Sequence, residues 1–234
     1  CLLPARALHR PSHPYTMTLP ERLAAYDSPE GAVEYLEEYD KIHRKLSDKR
    51  ERKLLLSYFE QIGSFDSILD LPCGWGRYLP LFTNLGAKVI QGDYSRDMIR
   101  MSDERFPTLK PMGRVRSFGH QIPLADCSVC VTFSMRLNHH LVDPAVRREH
   151  VRDLLRVADK WCIFTYFDHN TVKNILRRAR TSVGLCKKRP KNTLSRKEAR
   201  NLVASCGFET VSDPMLFAIG SGHRVVLARR VGSL

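Results

Sequence analysis

Short apolar runs alternate with helix-length segments along most of the chain. The runs are rich in β-branched residues and lie at 67–71, 88–91, 114–118, 128–133, 161–167, 209–211 and 224–228. This alternation is typical of βαβ units and therefore of a doubly wound, largely parallel sheet. Only a loop separates the last two runs, which predicts a closing hairpin. We expect an α/β fold with seven strands, mostly parallel, and an antiparallel last strand.

The segment before the first predicted strand has a helical period instead. Apolar residues between Val33 and Ile62 recur three and four positions apart among charged residues, which predicts a cap of two amphipathic helices. We expect this cap to occupy 17–62 and the α/β core to occupy 63–234. Residues 1–16 contain three prolines before Met17, and we expect them to be a leader that is non-native or disordered.

Charge and cysteine content indicate which partners and which cellular compartment the protein suits. The net charge is +13, and residues 141–234 hold 19 Lys or Arg against 8 Asp or Glu. An odd number of cysteines, seven, indicates free thiols and a cytoplasmic protein. No apolar run approaches the ~18 residues of a membrane span. Cys127 and Cys130 form a C-x-x-C, but on a predicted strand they would point to opposite faces, so we predict no metal site.

The turn after the first predicted strand carries the strongest chemical signal. Gly74 and Gly76 follow Asp70 in P-C-G-W-G-R, and glycines let backbone amides approach a ligand closely. Asp93 ends the second predicted strand, where a carboxylate can accept both hydroxyls of a ribose. The alternative is that Asp93 only caps the following helix. Leu79 stands where a dinucleotide fingerprint needs a small residue, which disfavours a pyrophosphate site.

These motifs resemble those of a known family. L-D-L-P-C-G-W-G-R at 69–77 resembles the first motif of class I S-adenosylmethionine-dependent methyltransferases, in its D-x-P-C-G-x-G variant. Q-G-D-Y-S-R-D-M-I at 91–99 resembles their second motif, and 194–208 resembles the helix and Gly-Phe turn before their final strands. The resemblance runs from Tyr39 to Arg229 and is closest to the type 11 group, whose members methylate many unrelated substrates. It implies a Rossmann-like fold and S-adenosyl-L-methionine as the cofactor.

The resemblance also implies a set of cofactor-binding residues. Asp70, Cys73, Gly74 and Gly76 would line the methionine moiety, Asp93 the ribose, Tyr94 and Met98 the neighbourhood of the adenine, and Tyr39 would close over the cofactor; Phe118, Gly119, His120 and Ser134 complete the set. Phe118 stands where relatives usually have an acidic residue, so the adenine amino group would meet backbone near Gly119 and His120 or pack against Phe118.

Methyl transfer needs an aligned acceptor, and a general base only if the acceptor must lose a proton. The candidates follow the fourth and fifth predicted strands. His139 and His140 are the residues that we assign to catalysis, with Tyr166, Asp168 and His169 as further candidates. The sequence after the fourth strand lacks an N-P-P-Y-like tetrapeptide, which argues against methylation of base or glutamine amino groups.

A basic segment follows the fifth predicted strand. Residues 171–200 contain eleven basic residues and one acidic residue, Glu198. Near 169–193 we expect a lid-like insertion that contains an amphipathic basic helix. It could bind an anionic membrane surface or RNA, or its apolar stripe could pack on the domain. We therefore predict methyl transfer to a small or lipid-linked, anionic acceptor, with an RNA methyltransferase and a non-catalytic domain as alternatives.

Overall fold

The computed structural model describes residues 28, 30, 31, 34, 42–184, 193–217 and 222–232. The predicted leader and Tyr39 lie outside these residues. Of the predicted cap, the structure describes helical backbone at positions 30, 31 and 34 and one long helix, α1 (Ile42–Ile62).

Seven strands form one sheet in the order β3-β2-β1-β4-β5-β7-β6. They are β1 (Ser67–Asp70), β2 (Lys88–Asp93), β3 (Gly113–Arg116), β4 (Val129–Ser134), β5 (Ala158–Phe167), β6 (Phe208–Ser212) and β7 (His223–Arg230). Strands β1 to β5 pair in parallel, and β7 runs antiparallel to both β5 and β6. The predicted fold class and closing hairpin are confirmed.

Most helices after α1 start at a residue whose side chain caps the helix N-terminus. They are α2 (Leu79–Asn84), α3 (Arg96–Arg105), a short 3₁₀ helix (Asn138–His140), α4 (Pro144–Val157), α5 (Val172–Ser182) and α6 (Arg196–Ser205). The Ser95 hydroxyl caps α3, and Asp143 followed by Pro144 starts α4. Ser195 and Glu198 form a capping box at α6.

Helices cover both faces of the sheet. On one face Ile68 of β1 packs in a cluster with Leu55 of α1 and Phe82 of α2. On the other face Leu69 belongs to a cluster with Leu154 of α4 and Val203 of α6. Because both faces are covered, the central strands are buried along most of their length. The strand order reverses between β1 and β4, which is where ligands bind in sheets of this kind.

Candidate functional site

The loop between β1 and α2 forms a tight turn over the carboxyl ends of β1 and β2. The Cys73 amide donates to the Gly92 carbonyl at 2.8 Å, and the Gly76 amide donates to the Cys73 carbonyl at 3.0 Å. Gly76 has a φ of 78°, and a Cβ atom there would lie 2.1 Å from the Ser102 hydroxyl on α3. Glycine at position 76 therefore allows the turn to lie close against α3.

The Asp93 carboxylate joins this turn to the end of β2. Its Oδ2 accepts from the Gly74 amide at 2.9 Å, and its Oδ1 accepts from the Ser95 amide at 2.9 Å. The capping role that the sequence left open for Asp93 belongs to Ser95, whose hydroxyl accepts from the Met98 amide. A carboxylate oxygen has two lone pairs, so a carboxylate at this position has the chemistry to accept from ribose hydroxyls.

Asp70 lies beneath the turn as a fully buried carboxyl group. Neither of its side-chain oxygens has a hydrogen-bond partner among the described residues. Burial raises the pKa of Asp70 well above its ordinary value, Arg77 opposes the shift and Asp93 adds to it. A buried carboxylate without partners is costly, so a cationic ligand group at this point would relieve an existing penalty.

Two aromatic rings border an open cleft beside β3. The cleft has a volume of about 170 Å³ and is lined by Tyr94, Arg116, Ser117 and Phe118. The centroids of the Tyr94 and Phe118 rings lie 4.5 Å apart at an angle of 37°. The Arg116 guanidinium lies 4.8 Å from the centroid of the Tyr94 ring. These flat surfaces suit the packing of a planar base.

His150 of α4 ties the loop after β3 to the end of β4. Its Nε2 lies 3.0 Å from the Ser134 hydroxyl, and its Nδ1 contacts the Gly119 carbonyl. A Cβ atom at Gly119 would lie 3.1 Å from the His150 ring and 2.7 Å from Leu137. Burial lowers the pKa of His150 to about 4, against the opposing effect of the Gly119 hydrogen bond. The imidazole is therefore neutral near pH 7 and fixes two of the predicted cofactor residues.

This shift makes stability depend on pH. Unfolded chains protonate His150 near its ordinary pKa of 6.5, whereas the folded protein does so only near 4. Stability should therefore fall as the pH drops through this window. We expect His150→Gln to lower the free energy of unfolding by about 1 kcal/mol at neutral pH. We also expect the melting temperature of this variant to depend less on pH between about pH 7 and about pH 4.5. The half-buried His120→Gln variant is the control, and an unchanged slope in His150→Gln would contradict the assignment.

A buried carboxylate on α1 connects the cap to the site. The Glu51 side chain is 0% exposed, and its Oε2 lies 2.7 Å from the Arg77 guanidinium. Its Oε1 accepts from Arg136 Nε at 3.0 Å and lies 3.6 Å from His223 Nδ1. Burial raises the pKa of Glu51, but Arg77, Arg136 and His223 outweigh that effect, so the pKa is lowered. We call these four residues the Glu51 cluster.

His139 and His140 lie on the 3₁₀ helix that follows β4, and both are half-buried. Their ring centroids are 4.1 Å apart, and the His139 ring stands edge-on to Phe167 at 4.6 Å. The structure thus places both imidazoles beyond the carboxyl end of a central strand, next to an aromatic ring.

The other candidate bases make internal contacts. Tyr166 is fully buried, and burial raises the pKa of its hydroxyl. Asp168 Oδ2 accepts from Arg224 Nε at 2.5 Å. His169 Nδ1 lies 2.9 Å from the Thr193 hydroxyl. These contacts suit packing and ion pairing of β5 with the segments around it.

Two further predicted cofactor residues, and the cysteines of the C-x-x-C motif, are placed as follows. Cys73 and Met98 are buried, and burial, with Asp93 and Asp70, raises the pKa of the Cys73 thiol. Cys127 lies in the turn before β4, with a φ of 53°, and so is not on the strand where the sequence placed it. Within the described ranges, no group of three or more potential ligands could hold a metal ion.

Sequence reasoning missed Glu51, Arg136 and His150. His150 lies on the same side of α4 as the buried Val151 and Leu154, so its place in the apolar stripe was a usable signal. Glu51 and Arg136 gave none, because each pairs with a residue that is distant along the chain.

Residues 68–160 match a family model described as a methyltransferase domain. The matched segment makes up 93 of the chain's 234 residues. The family resemblance predicted from the sequence is therefore confirmed over that segment. A demethylmenaquinone methyltransferase of Thermobifida fusca (strain YX) is 33% identical over 127 residues, which cover 51% of this chain and 51% of that protein. The chain thus matches about half the length of this curated relative.

Solved structures extend the likeness of the methyltransferase domain to most of the chain. Magnesium protoporphyrin IX methyltransferase from Synechocystis PCC 6803, with bound SAH, has a TM-score of 0.72 at 15% identity, covering 88% of this chain and 97% of that one. A SAM-dependent methyltransferase from Methanosarcina mazei has a TM-score of 0.57 at 20% identity, covering 72% and 93%. At identities this low, the structural likeness shows the fold alone.

None of the helices that the structure describes is long and apolar enough to cross a membrane.

Proposed function

We propose that this chain is an enzyme that binds S-adenosyl-L-methionine and transfers its methyl group to a small or lipid-linked, anionic acceptor. One observation carries the proposal. The turn at 71–78, the Asp93 carboxylate and the Asp70 carboxylate meet at the carboxyl ends of β1 and β2, beside the point where the strand order reverses. Among the described residues, the Asp70 carboxylate has no hydrogen-bond partner. The fold and the matched methyltransferase domain support the same assignment.

The residues present fit this cofactor chemically. Asp70 would accept from the ammonium group of the methionine moiety. The positive charge of that group would stabilise the buried carboxylate, which has no hydrogen-bond partner among the described residues. Asp93 would accept from the ribose hydroxyls, and Tyr94 and Phe118 would pack against the adenine. Cys73, Gly74, Gly76, Met98, Gly119, His120 and Ser134 would form the surrounding walls, and Tyr39 lies outside the described residues.

The bound sulfonium would supply an activated methyl group, so the protein's main task is to align the acceptor. His139 and His140, which are half-buried beyond β4, would receive a proton if the acceptor must lose one. The excess of basic residues in 141–234 favours an acceptor that carries negative charge.

Titration with S-adenosylhomocysteine and S-adenosylmethionine tests the proposal, and Asp70→Asn makes the test specific. We expect micromolar binding by the wild type, weakened about tenfold or more in Asp70→Asn because a charge-assisted hydrogen bond is lost. The same variant should be at least as stable as the wild type without ligand near neutral pH, because it removes the cost of burying an ionisable carboxyl group. That advantage should shrink in acid, where the wild-type carboxyl is protonated in both states.

Asp66→Asn is the matched control, since Asp66 directly precedes β1 and is exposed. It should change neither affinity nor stability appreciably. Absence of binding by the wild type would contradict the proposed function and leave the non-catalytic alternative. Binding of RNA with methyl transfer to it would instead favour the RNA methyltransferase.

A further inference from the structure

The helix α5 turns its apolar side outward. Val172, Leu176 and Val183, which follows its last turn, are 73%, 51% and 66% exposed, and Ile175 is 47% exposed. At 100° per residue these positions fall on one stripe along the helix. The sequence-based alternative in which this stripe packs on the domain is wrong.

The polar side of α5 faces the domain instead. Asn174 is buried, and its Nδ2 donates to the Asp168 carbonyl at 2.6 Å. Arg178 donates to the His169 carbonyl at 2.9 Å. The Thr171 hydroxyl caps the helix. An amphipathic helix of a globular domain normally buries its apolar stripe. Helix α5 has the opposite orientation, and polar contacts hold it against the domain.

Positive charge accompanies the exposed stripe. Residues 171–184 contain Lys173, Arg177, Arg178 and Arg180 and no acidic residue. Arg180 is exposed, and Arg177 and Arg178 are half-buried. Arg196 and Arg200 of α6 differ, since both bind the Asp213 carboxylate. The charge around α5 is therefore complementary to an anionic surface.

We propose that α5 docks this domain on an anionic lipid membrane surface. The stripe of Val172, Ile175, Leu176 and Val183 inserts at the level of the headgroups, and Arg177 and Arg180 contact lipid phosphates. An exposed apolar stripe combined with basic residues is the pattern of helices that lie in the membrane interface. Docking goes beyond methyl transfer and does not require it.

The position of α5 links docking to the candidate site. The helix follows the carboxyl end of β5, and β5 is parallel to β4 and, through it, to β1 and β2. The membrane-facing helix thus follows the same edge of the sheet at which Asp70 and Asp93 lie. This arrangement suits an acceptor that is held in the membrane.

RNA explains the stripe less well. Residues 171–184 contain no Phe, Tyr or Trp on which a base could stack. Phosphate contacts require the basic residues but give no role to four exposed aliphatic side chains.

Vesicle co-sedimentation tests the proposal, with phosphatidylcholine vesicles that contain or lack phosphatidylglycerol. We expect the wild type to bind the anionic vesicles, and the double variant Leu176→Asp/Val183→Asp to bind them at least ~10-fold more weakly. The control is Met112→Asp/Val142→Asp. It adds the same charge at side chains of similar exposure, 57% and 62%, and should retain most of the binding.

Melting temperature and S-adenosylhomocysteine affinity are measured on all three proteins, so that failure of cofactor binding is seen separately from failure of docking. No binding of anionic vesicles by the wild type, or equal loss in the two double variants, overturns the proposal. So does a shift from dimer to monomer in Leu176→Asp/Val183→Asp without vesicle binding, which would make α5 a contact between two copies. RNA binding that both double variants weaken equally, in the absence of vesicle binding, also overturns it.

Discussion

Asp93→Ala is expected to abolish measurable binding of S-adenosylhomocysteine at micromolar concentrations. In the proposed function the substitution would remove both oxygens that accept from the ribose hydroxyls, and charge-assisted hydrogen bonds of this kind contribute about 1.5–3 kcal/mol each. It also removes the partner of the Gly74 amide, so that the turn at 71–78 loses its link to β2. Together these losses should weaken binding by at least roughly 100-fold. Isothermal titration measures the change directly.

Two further variants serve as a control and as a test of the carboxylate's charge. Asp97→Ala removes a carboxylate four residues away that pairs with Arg100 on the surface of α3, and it should leave affinity near the wild-type value. Asp93→Asn keeps the shape of the side chain but only one acceptor, so it should bind more weakly than the wild type and better than alanine. Wild-type affinity in Asp93→Ala would show that the carboxylate serves only the turn.

Glu51→Ala is expected to be the most destabilising single change in the cap. It leaves the guanidinium groups of Arg77 and Arg136 in a buried setting without the carboxylate between them. Removing one partner of a buried ion pair typically costs about 3–5 kcal/mol, a large share of the stability of a typical domain. Urea unfolding at neutral pH measures the loss. Glu51→Gln keeps the shape and should lose less, which preserves the test if the alanine variant does not fold.

The exposed Glu60→Gln on the same helix is the control and should change stability by less than about 0.5 kcal/mol. The stabilising effect of Glu51 also has a defined pH dependence. Its folded pKa is lowered, so the effect is present above the ordinary value of 4.5 and lost as the pH falls through the folded value. If Glu51→Ala and Glu60→Gln lost equal stability, the Glu51 cluster would have no special role.

The sheet could be predicted from the sequence because its signals are local. Each predicted run overlaps an observed strand, since both faces of the sheet are covered and the central strands β1 and β4 are largely buried. The turn at 71–78 was also predictable, because its two glycines and two flanking acids occupy fixed offsets. The contacts between residues that are distant along the chain were not predictable. Arg136 lies 85 positions after Glu51, and no pattern within either segment reports that contact.

The orientation of α5 was unpredictable for a related reason. The periodicity of Val172, Ile175 and Leu176 predicts an apolar stripe correctly. Which side of the helix faces the domain depends on Asn174 meeting the carbonyl of Asp168. That contact depends on how β5 ends, which the helix sequence does not encode.

The Glu51 cluster bears on where the folding unit begins. The matched methyltransferase domain starts at residue 68, and the sequence places the boundary of the core at 63. Yet Leu55, Tyr58 and Phe59 of α1 belong to one of the two cores, and Glu51 supplies the buried countercharge to an arginine of the 71–78 turn. A chain cut at 63 would keep the 71–78 turn and Asp93 and lose part of the core that packs against them. The segment that carries these motifs is thus shorter than the segment that builds the core around them.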